Sequence, residues 1–244
     1  MTEFRVTESK MLATPVGPEV TTFLVQPDEA LAVMVLGHGS GTPIHKPHMV
    51  ELCEALARQG VATFRYNYPY SEGMTDYSPE LIDPLEVLLA TTGSAMRAAN
   101  ALSLGLPMFL GGRSMSSQVV SLALSREHWR EVRGVVLYVF PMRWRNLLDD
   151  TVAHLRHVSV PMLFVQGGRD EKFADLNELR PVLDGLGSGA TLHVVDGADH
   201  FYDLPSESDR TREDTLTEVA SVTATWIHGL LKSRPRPEEE SDSE

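Results

Sequence analysis

The chain has 244 residues, 42% apolar and 23% charged, a balance that suits a water-soluble protein with a substantial core. A formal charge of -13 opposes attraction to phosphate backbones and anionic lipid, so neither nucleic acid nor a membrane surface is an expected partner. No apolar run reaches the roughly 18 residues of a membrane span, and the start "MTEFRVTESK" lacks the order of a secretory signal. The single Cys53 excludes an intramolecular disulfide and a cysteine-based zinc site, so a cytoplasmic setting is expected.

In chain order, two weak strand signals come first, around 5–7 and 21–25, and suit an antiparallel edge. Short apolar runs follow at 30–37, 61–69, 107–112, 134–140, 161–167 and 190–196. Most end at Gly or Pro, as buried parallel strands do. Helices are expected between them. One starts at Pro47 and stops at Gly60, a longer one runs from Ser78-Pro79 through Ala99, and another follows Ser114. A last one carries Leu216, Val219, Thr223, Trp226 and Leu230 on one face. Strand and helix alternate, which predicts an α/β fold with a mostly parallel central sheet flanked by helices. Residues 1–232 read as one domain, and the acidic, Pro-containing stretch 233–244 as a disordered tail.

The stretch "PMFLGGRSMSSQVVSLAL" changes from strand to helix at Gly112-Arg113-Ser114-Met115-Ser116. A nucleophile on such a joint needs small residues two places to either side, and Gly112 and Ser116 supply them. The Met115 amide, at a helix start, points toward an oxyanion formed at Ser114. Two readings fit: an activated serine, or a serine that merely caps the helix. A phosphate loop fits worse, since no Lys-Ser or Lys-Thr follows the glycines.

A nucleophilic serine needs a base and the base an acid. "LFVQGGRDEKF" places Asp170 beyond one strand end, with Glu171 and Asp175 nearby, and "LHVVDGADHFY" places His200 beyond the next. Ser, Asp, His is the order of α/β hydrolases. His193 falls inside a strand and His228 inside the last helix, so both fit worse. Upstream, "VLGHGSGTP" can present a second oxyanion amide, that of Ser40. Its Gly37-x-Gly39 spacing meets Thr42 where a dinucleotide fingerprint needs glycine. His38, His45 and His48 do not form a known metal-ligand pattern, so one imidazole is expected to support the loop; no metal and no cofactor is expected.

These stretches, with "HKPHMVELCEALARQGVATFRYNYPYSEG", resemble the α/β-hydrolase superfamily, specifically small lidless members like the dienelactone hydrolases. The likeness covers about residues 20–231. It implies an α/β-hydrolase fold without a cap domain, Ser114 as nucleophile, Asp170 as acid, His200 as base, and Ser40 and Met115 as oxyanion amides. It implies hydrolysis of a small carboxylic ester or thioester, with acyl transfer, perhydrolysis or a non-catalytic scaffold as other uses of the fold. The chain departs from the pattern with Ser116 and Ser117 where glycines are usual, and with serine where dienelactone hydrolases carry cysteine. Only about 20 residues join the strands at 134–140 and 161–167, which predicts an open, shallow site for short-acyl substrates. The Tyr-rich 65–77 stretch, Met142 and Trp144 are candidate pocket walls, and Arg65 and Arg113 are candidate partners of an acidic group. A two-fold homodimer is the default expectation for oligomeric state.

Overall fold

The computed structural model describes residues 3–102, 105–142 and 152–233. Trp144 and all but the first residue of the expected 233–244 tail lie outside them. Among the described residues eight strands form one sheet: β1 (Phe4–Leu12), β2 (Glu19–Pro27), β3 (Ala32–Gly37), β4 (Val61–Tyr66), β5 (Met108–Arg113), β6 (Val132–Tyr138), β7 (Met162–Gly167) and β8 (Ala190–Val195). Their spatial order is β1-β2-β4-β3-β5-β6-β7-β8. β2 runs antiparallel to both neighbours and every other pairing is parallel.

The described α-helices that cover the sheet are α1 (Pro47–Arg58), α2 (Leu85–Leu102), α3 (Met115–Arg126), α4 (Leu176–Leu186) and α5 (Arg212–Ser233). The pleat sends alternate strand residues to opposite faces. Met34 and Leu36 of β3 join Leu52, Leu56, Val219 and Ile227 from α1 and α5. Val33 and Val35 join Leu88, Val119 and Leu179 from α2, α3 and α4. Both faces are therefore largely apolar, which explains why β3 to β7 read mostly as hydrophobic runs rather than alternating ones. Among the described residues no cap domain stands over the sheet.

Two elements differ from expectation. The helix expected from Pro79 is a 3-10 turn at Pro79–Leu81, and α2 begins only at Leu85. Pro84 disfavours helical backbone at Asp83 and has no N–H, so the chain must restart there; the Val87 and Leu88 amides then bond the Pro84 carbonyl. α4 was not expected at all. Its Leu176, Leu179, Leu183 and Leu186 keep helical spacing, and Asp175 caps it by accepting from the Asn177 amide at 2.8 Å, but Pro181 in its interior hides the pattern.

The strand order reverses between β3 and β5, so the chain leaving β3 and the chain leaving β5 flank a crevice at the carboxyl edge of the sheet. Two glycines let backbone pack closely at that edge. A Cβ on Gly112 would lie 2.3 Å from the Ser116 carbonyl oxygen, and one on Gly167 would lie 2.3 Å from that of Asp199. Both contacts are to backbone, which cannot rotate away. Gly112→Ala should therefore lower the unfolding free energy by about 1–3 kcal/mol in urea denaturation, through overpacking. An unchanged midpoint would show that the turn relaxes freely.

Candidate active site

Ser114 is the single residue between β5 and α3, at φ 53 and ψ -118. A side chain rarely adopts this backbone, which costs on the order of 1–3 kcal/mol and must be held by its surroundings. The Ser114 amide donates to the Tyr138 carbonyl on β6 at 2.9 Å, and the Ser117 hydroxyl donates to the Ser114 carbonyl. The Ser114 side chain makes no capping bond to α3. Its Oγ instead faces His200 Nε2 at 2.9 Å.

His200 reaches that point from the loop after β8. The Asp199 carboxylate accepts from the Phe201 and Asp203 amides at 2.7 and 2.9 Å, which folds the loop into a tight turn. Arg113 Nη2 donates to the His200 carbonyl at 2.9 Å, and Arg212 Nη1 donates to the Phe201 carbonyl at 2.8 Å. The imidazole packs on Phe173, with ring centroids 4.3 Å apart. Its Nδ1 faces Asp170 Oδ2 at 2.6 Å. Asp170 is 2% exposed, and its Oδ1 has no hydrogen-bond partner among the described residues.

Ser114, His200 and Asp170 are thus hydrogen-bonded in series across β5, β7 and β8. The competing residues stand elsewhere. Glu171 is exposed, Asp175 caps α4, His193 pairs with Glu218 at 2.7 Å, and His228 is exposed on α5.

Ser40 follows β3 and faces the same crevice. Neither its amide nor that of Met115 has a partner among the described residues. The loop that holds Ser40 is braced from below. His38 Nδ1 donates to the Gly39 carbonyl at 2.7 Å, while its Nε2 accepts from the Tyr68 amide at 3.3 Å and lies 2.9 Å from Ser71 Oγ. Full burial pulls the His38 pKa from 6.5 down to about 4, so the ring is neutral. Tyr70 Oη donates to the Ser40 carbonyl at 2.9 Å and lies 3.7 Å from Met115 Sδ, spanning the two residues.

The departures at the elbow are also engaged. Ser116 Oγ donates to the His38 carbonyl and accepts from Tyr68 Oη at 3.0 Å. Gly37 makes room, since a Cβ there would lie 2.7 Å from Ser116 Cβ.

A cleft of about 550 Å3 opens above Ser114 and His200, walled by Tyr77, Phe173, Phe201, His48 and the Ser40 loop. Of the tyrosine-rich stretch only Tyr77 lines it; Tyr66 and Tyr68 are buried beneath. Met142 bonds the Phe173 carbonyl through its amide and packs on the core instead. Arg113 reaches the cleft, whereas Arg65 is buried away from it against Phe23, 4.8 Å from the ring centroid. Phe173, Phe201 and His48 escaped the sequence reading as walls. Their only signal is position just beyond a strand end or at the start of α1.

The family model described as "Alpha/beta hydrolase domain" matches residues 30–228. The chain belongs to the α/β-hydrolase family. Among solved structures, this α/β hydrolase is similar in fold to the dienelactone hydrolase of Anabaena variabilis, at 20% identity and TM-score 0.69 over 93% of this chain and 98% of that one. Est1E of Butyrivibrio proteoclasticus is similar at 15% identity and TM-score 0.69, over 91% of this chain and 99% of that one. A Mycobacterium tuberculosis protein named "Putative phosphoribosyl transferase" is 26% identical over 227 residues, 90% of this chain and 45% of that protein. The chain spans about half the length of the curated relatives it matches.

The neutral, buried His38 has a consequence for stability. Unfolding releases it to titrate near 6.5, so the unfolded chain binds more protons between pH 6.5 and about 4, and stability falls as pH drops through that window. Urea denaturation should show a loss of up to about 3 kcal/mol from this group, absent in His38→Gln. Equal pH dependence in the two proteins would contradict a neutral buried ring.

Proposed function

We propose that this α/β hydrolase is a serine esterase that cleaves small or short-acyl carboxylic esters or thioesters through an acyl-enzyme. The observation that carries the reading is the continuous series Asp170–His200–Ser114, held by strained backbone at the rim of the sheet. A hydroxyl at its free pKa is a weak nucleophile and needs a base within hydrogen-bond reach. His200 Nε2 takes the Ser114 proton as Oγ attacks the carbonyl.

Asp170 fixes the tautomer that leaves Nε2 free. Its second oxygen is buried and unpartnered, an unfavourable state for a carboxylate that a positive imidazolium relieves. The carboxylate thus favours the charged His200 of the transition state over the neutral one. The free amides of Ser40 and Met115 receive the oxyanion, each contributing roughly 2.7–4 kcal/mol. His200 then protonates the leaving group, and water, activated by the same imidazole, releases the acid.

The cleft volume and the absence of a cap among the described residues favour compact acyl groups. The single cysteine, Cys53, is buried and unpaired, which suits a reducing cytoplasm. The transferase name of the mycobacterial relatives belongs to proteins more than half of whose length this chain does not match.

Turnover of p-nitrophenyl acetate and butyrate, alongside labelling by a fluorophosphonate, tests the proposal. Ser114→Ala should abolish labelling and lower kcat by at least about 10^4-fold, and Asp170→Asn should lower kcat by a similar factor with the fold intact. A folded wild type that neither labels nor turns over any ester would leave a non-catalytic scaffold as the reading.

A further inference from the structure

The cleft holds charge of one sign. Its lining includes the cations Lys46 and Arg113 and the imidazoles of His48 and His200 but no Asp or Glu, in a chain whose formal charge is -13. Arg113 is the most constrained of them. It is 2% exposed, lies 5.0 Å over the Phe201 ring, and uses Nη2 on the His200 carbonyl. Burial lowers its pKa to about 10, so it keeps its charge at neutral pH. Among the described residues no carboxylate pairs with it.

Gly39 lets the loop, the guanidinium and the serine come close together. A Cβ there would stand 2.9 Å from Thr42 Oγ1, 3.2 Å from Arg113 Nη1 and 3.4 Å from Ser114 Cβ, so the buried cation lies beside the serine at the cleft wall.

His48 adds a directed donor. Arg212 Nη2 can only donate, and it lies 2.9 Å from His48 Nδ1, so that nitrogen accepts and the proton sits on Nε2. Burial and the charges of Arg113 and Arg212 push the His48 pKa down, which keeps the ring neutral and this tautomer in place. The ring lies 4.8 Å from that of Phe201, the same ring that carries Arg113, so the two donors flank one aromatic wall. The nearby carboxylates of Glu51 and Asp203 are engaged by Arg212 and do not line the cleft. Lys46, at the start of α1, forms no ion pair among the described residues.

We propose that Arg113, His48 and Lys46 form a carboxylate-binding subsite beside Ser114, and that the preferred substrates are small esters bearing a free carboxylate, such as half-esters of short dicarboxylic acids. This rests on the esterase reading and narrows its substrate. The carboxylates that act on Arg113 from nearby, Asp170 and Asp199, are bonded to His200 and to loop amides rather than to the guanidinium. A buried cation without an ion-pair partner is stabilised by an anion that shares its low-dielectric site, and a planar guanidinium edge matches a carboxylate. The proximity of Nη1 to Ser114 requires that the carboxylate and the reacting carbonyl be separated by a short chain. Phe201 and Phe173 would hold the apolar part of that chain.

The test compares monoethyl succinate with diethyl succinate. The half-ester carries no electrostatic advantage toward a nucleophile in water, so a preference for it reports the site. Wild type should favour the half-ester by about tenfold in kcat/KM, and Lys46→Ala and His48→Phe should each shrink that ratio severalfold, mainly through KM for the half-ester, while fluorophosphonate labelling of Ser114 persists. His48→Gln, which keeps a donor, should retain more of the preference than His48→Phe.

Equal or faster turnover of the diester by a labelled wild type overturns the subsite and leaves the esterase reading standing. A preference untouched by Lys46→Ala and His48→Phe overturns the assignment to these residues. Absence of both labelling and turnover removes the esterase reading and the subsite with it. Succinate and inorganic phosphate are also compared as competitive inhibitors of diester hydrolysis; succinate should inhibit more strongly, and stronger inhibition by phosphate would overturn the carboxylate class.

Discussion

Backbone pressed against backbone at two glycines sets the spacing on which the site depends. At Gly112 the chain leaving β5 turns back so sharply that the first turn of α3 lies on it, with the Ser116 carbonyl where a Cβ would be. At Gly167 the loop after β8 lies equally close to the end of β7. The first contact raises Ser114 clear of the sheet, and the second brings His200 across β7 toward it. Strained φ values at Ser114, Val139 and Tyr202 cluster at the same rim, 53, 46 and 61, where the surrounding packing holds the backbone in place.

That rim is stiff because the polar groups beneath it are matched. The neutral His38 offers one donor and one acceptor, and both meet backbone, at Gly39 and Tyr68. Ser116 joins the elbow to the same loop through the His38 carbonyl. A glycine at 116 would take this donor from the His38 carbonyl and leave the Tyr68 hydroxyl with that of Tyr66. The hydroxyl therefore converts a position usually reserved for close approach into a tie between the two segments that carry the free amides, and the volume it needs is supplied by Gly37.

The sequence showed the sheet more clearly than the helices, for a physical reason. Strands buried on both faces must be largely apolar, so β3 to β7 appear as runs bounded by Gly and Pro, and their ends, with that of the partly exposed β8, locate Ser40, Ser114, Asp170 and His200. Helix starts depend on local backbone conflicts that periodicity does not register. Leu85, Leu88, Leu89 and Ala95 continue the pattern set by Leu81, yet Pro84 breaks it; Leu176 to Leu186 is amphipathic, yet Pro181 conceals it. Strand ends and the order Ser, Asp, His point to the members of the hydrogen-bonded series, with Glu171 and Asp175 as other candidates in the same loop, and the family resemblance implies which residue takes which role. The walls carry no such pointer, because Phe173, Phe201 and His48 come together only after β3, β7 and β8 are placed side by side.

Electrostatics at the cleft runs against the charge of the chain as a whole, and distance explains why both hold. Among the described residues every Asp and Glu except Asp170 is at least partly exposed, and at physiological salt the influence of such charges fades over roughly 8 Å. Arg113 is screened far less, since it is buried, and it acts on whatever enters beside Ser114 at contact range. Its position is fixed from behind by the His200 carbonyl, so the group that would attract an anion also holds the base in place. An anion drawn to Nη1 would not have to compete with a paired aspartate or glutamate, because the carboxylate nearest the base, that of Asp170, is turned away onto His200 Nδ1. The local field is thus set by which charges are buried and how they are paired, and the net charge of the chain says little about what this cleft attracts.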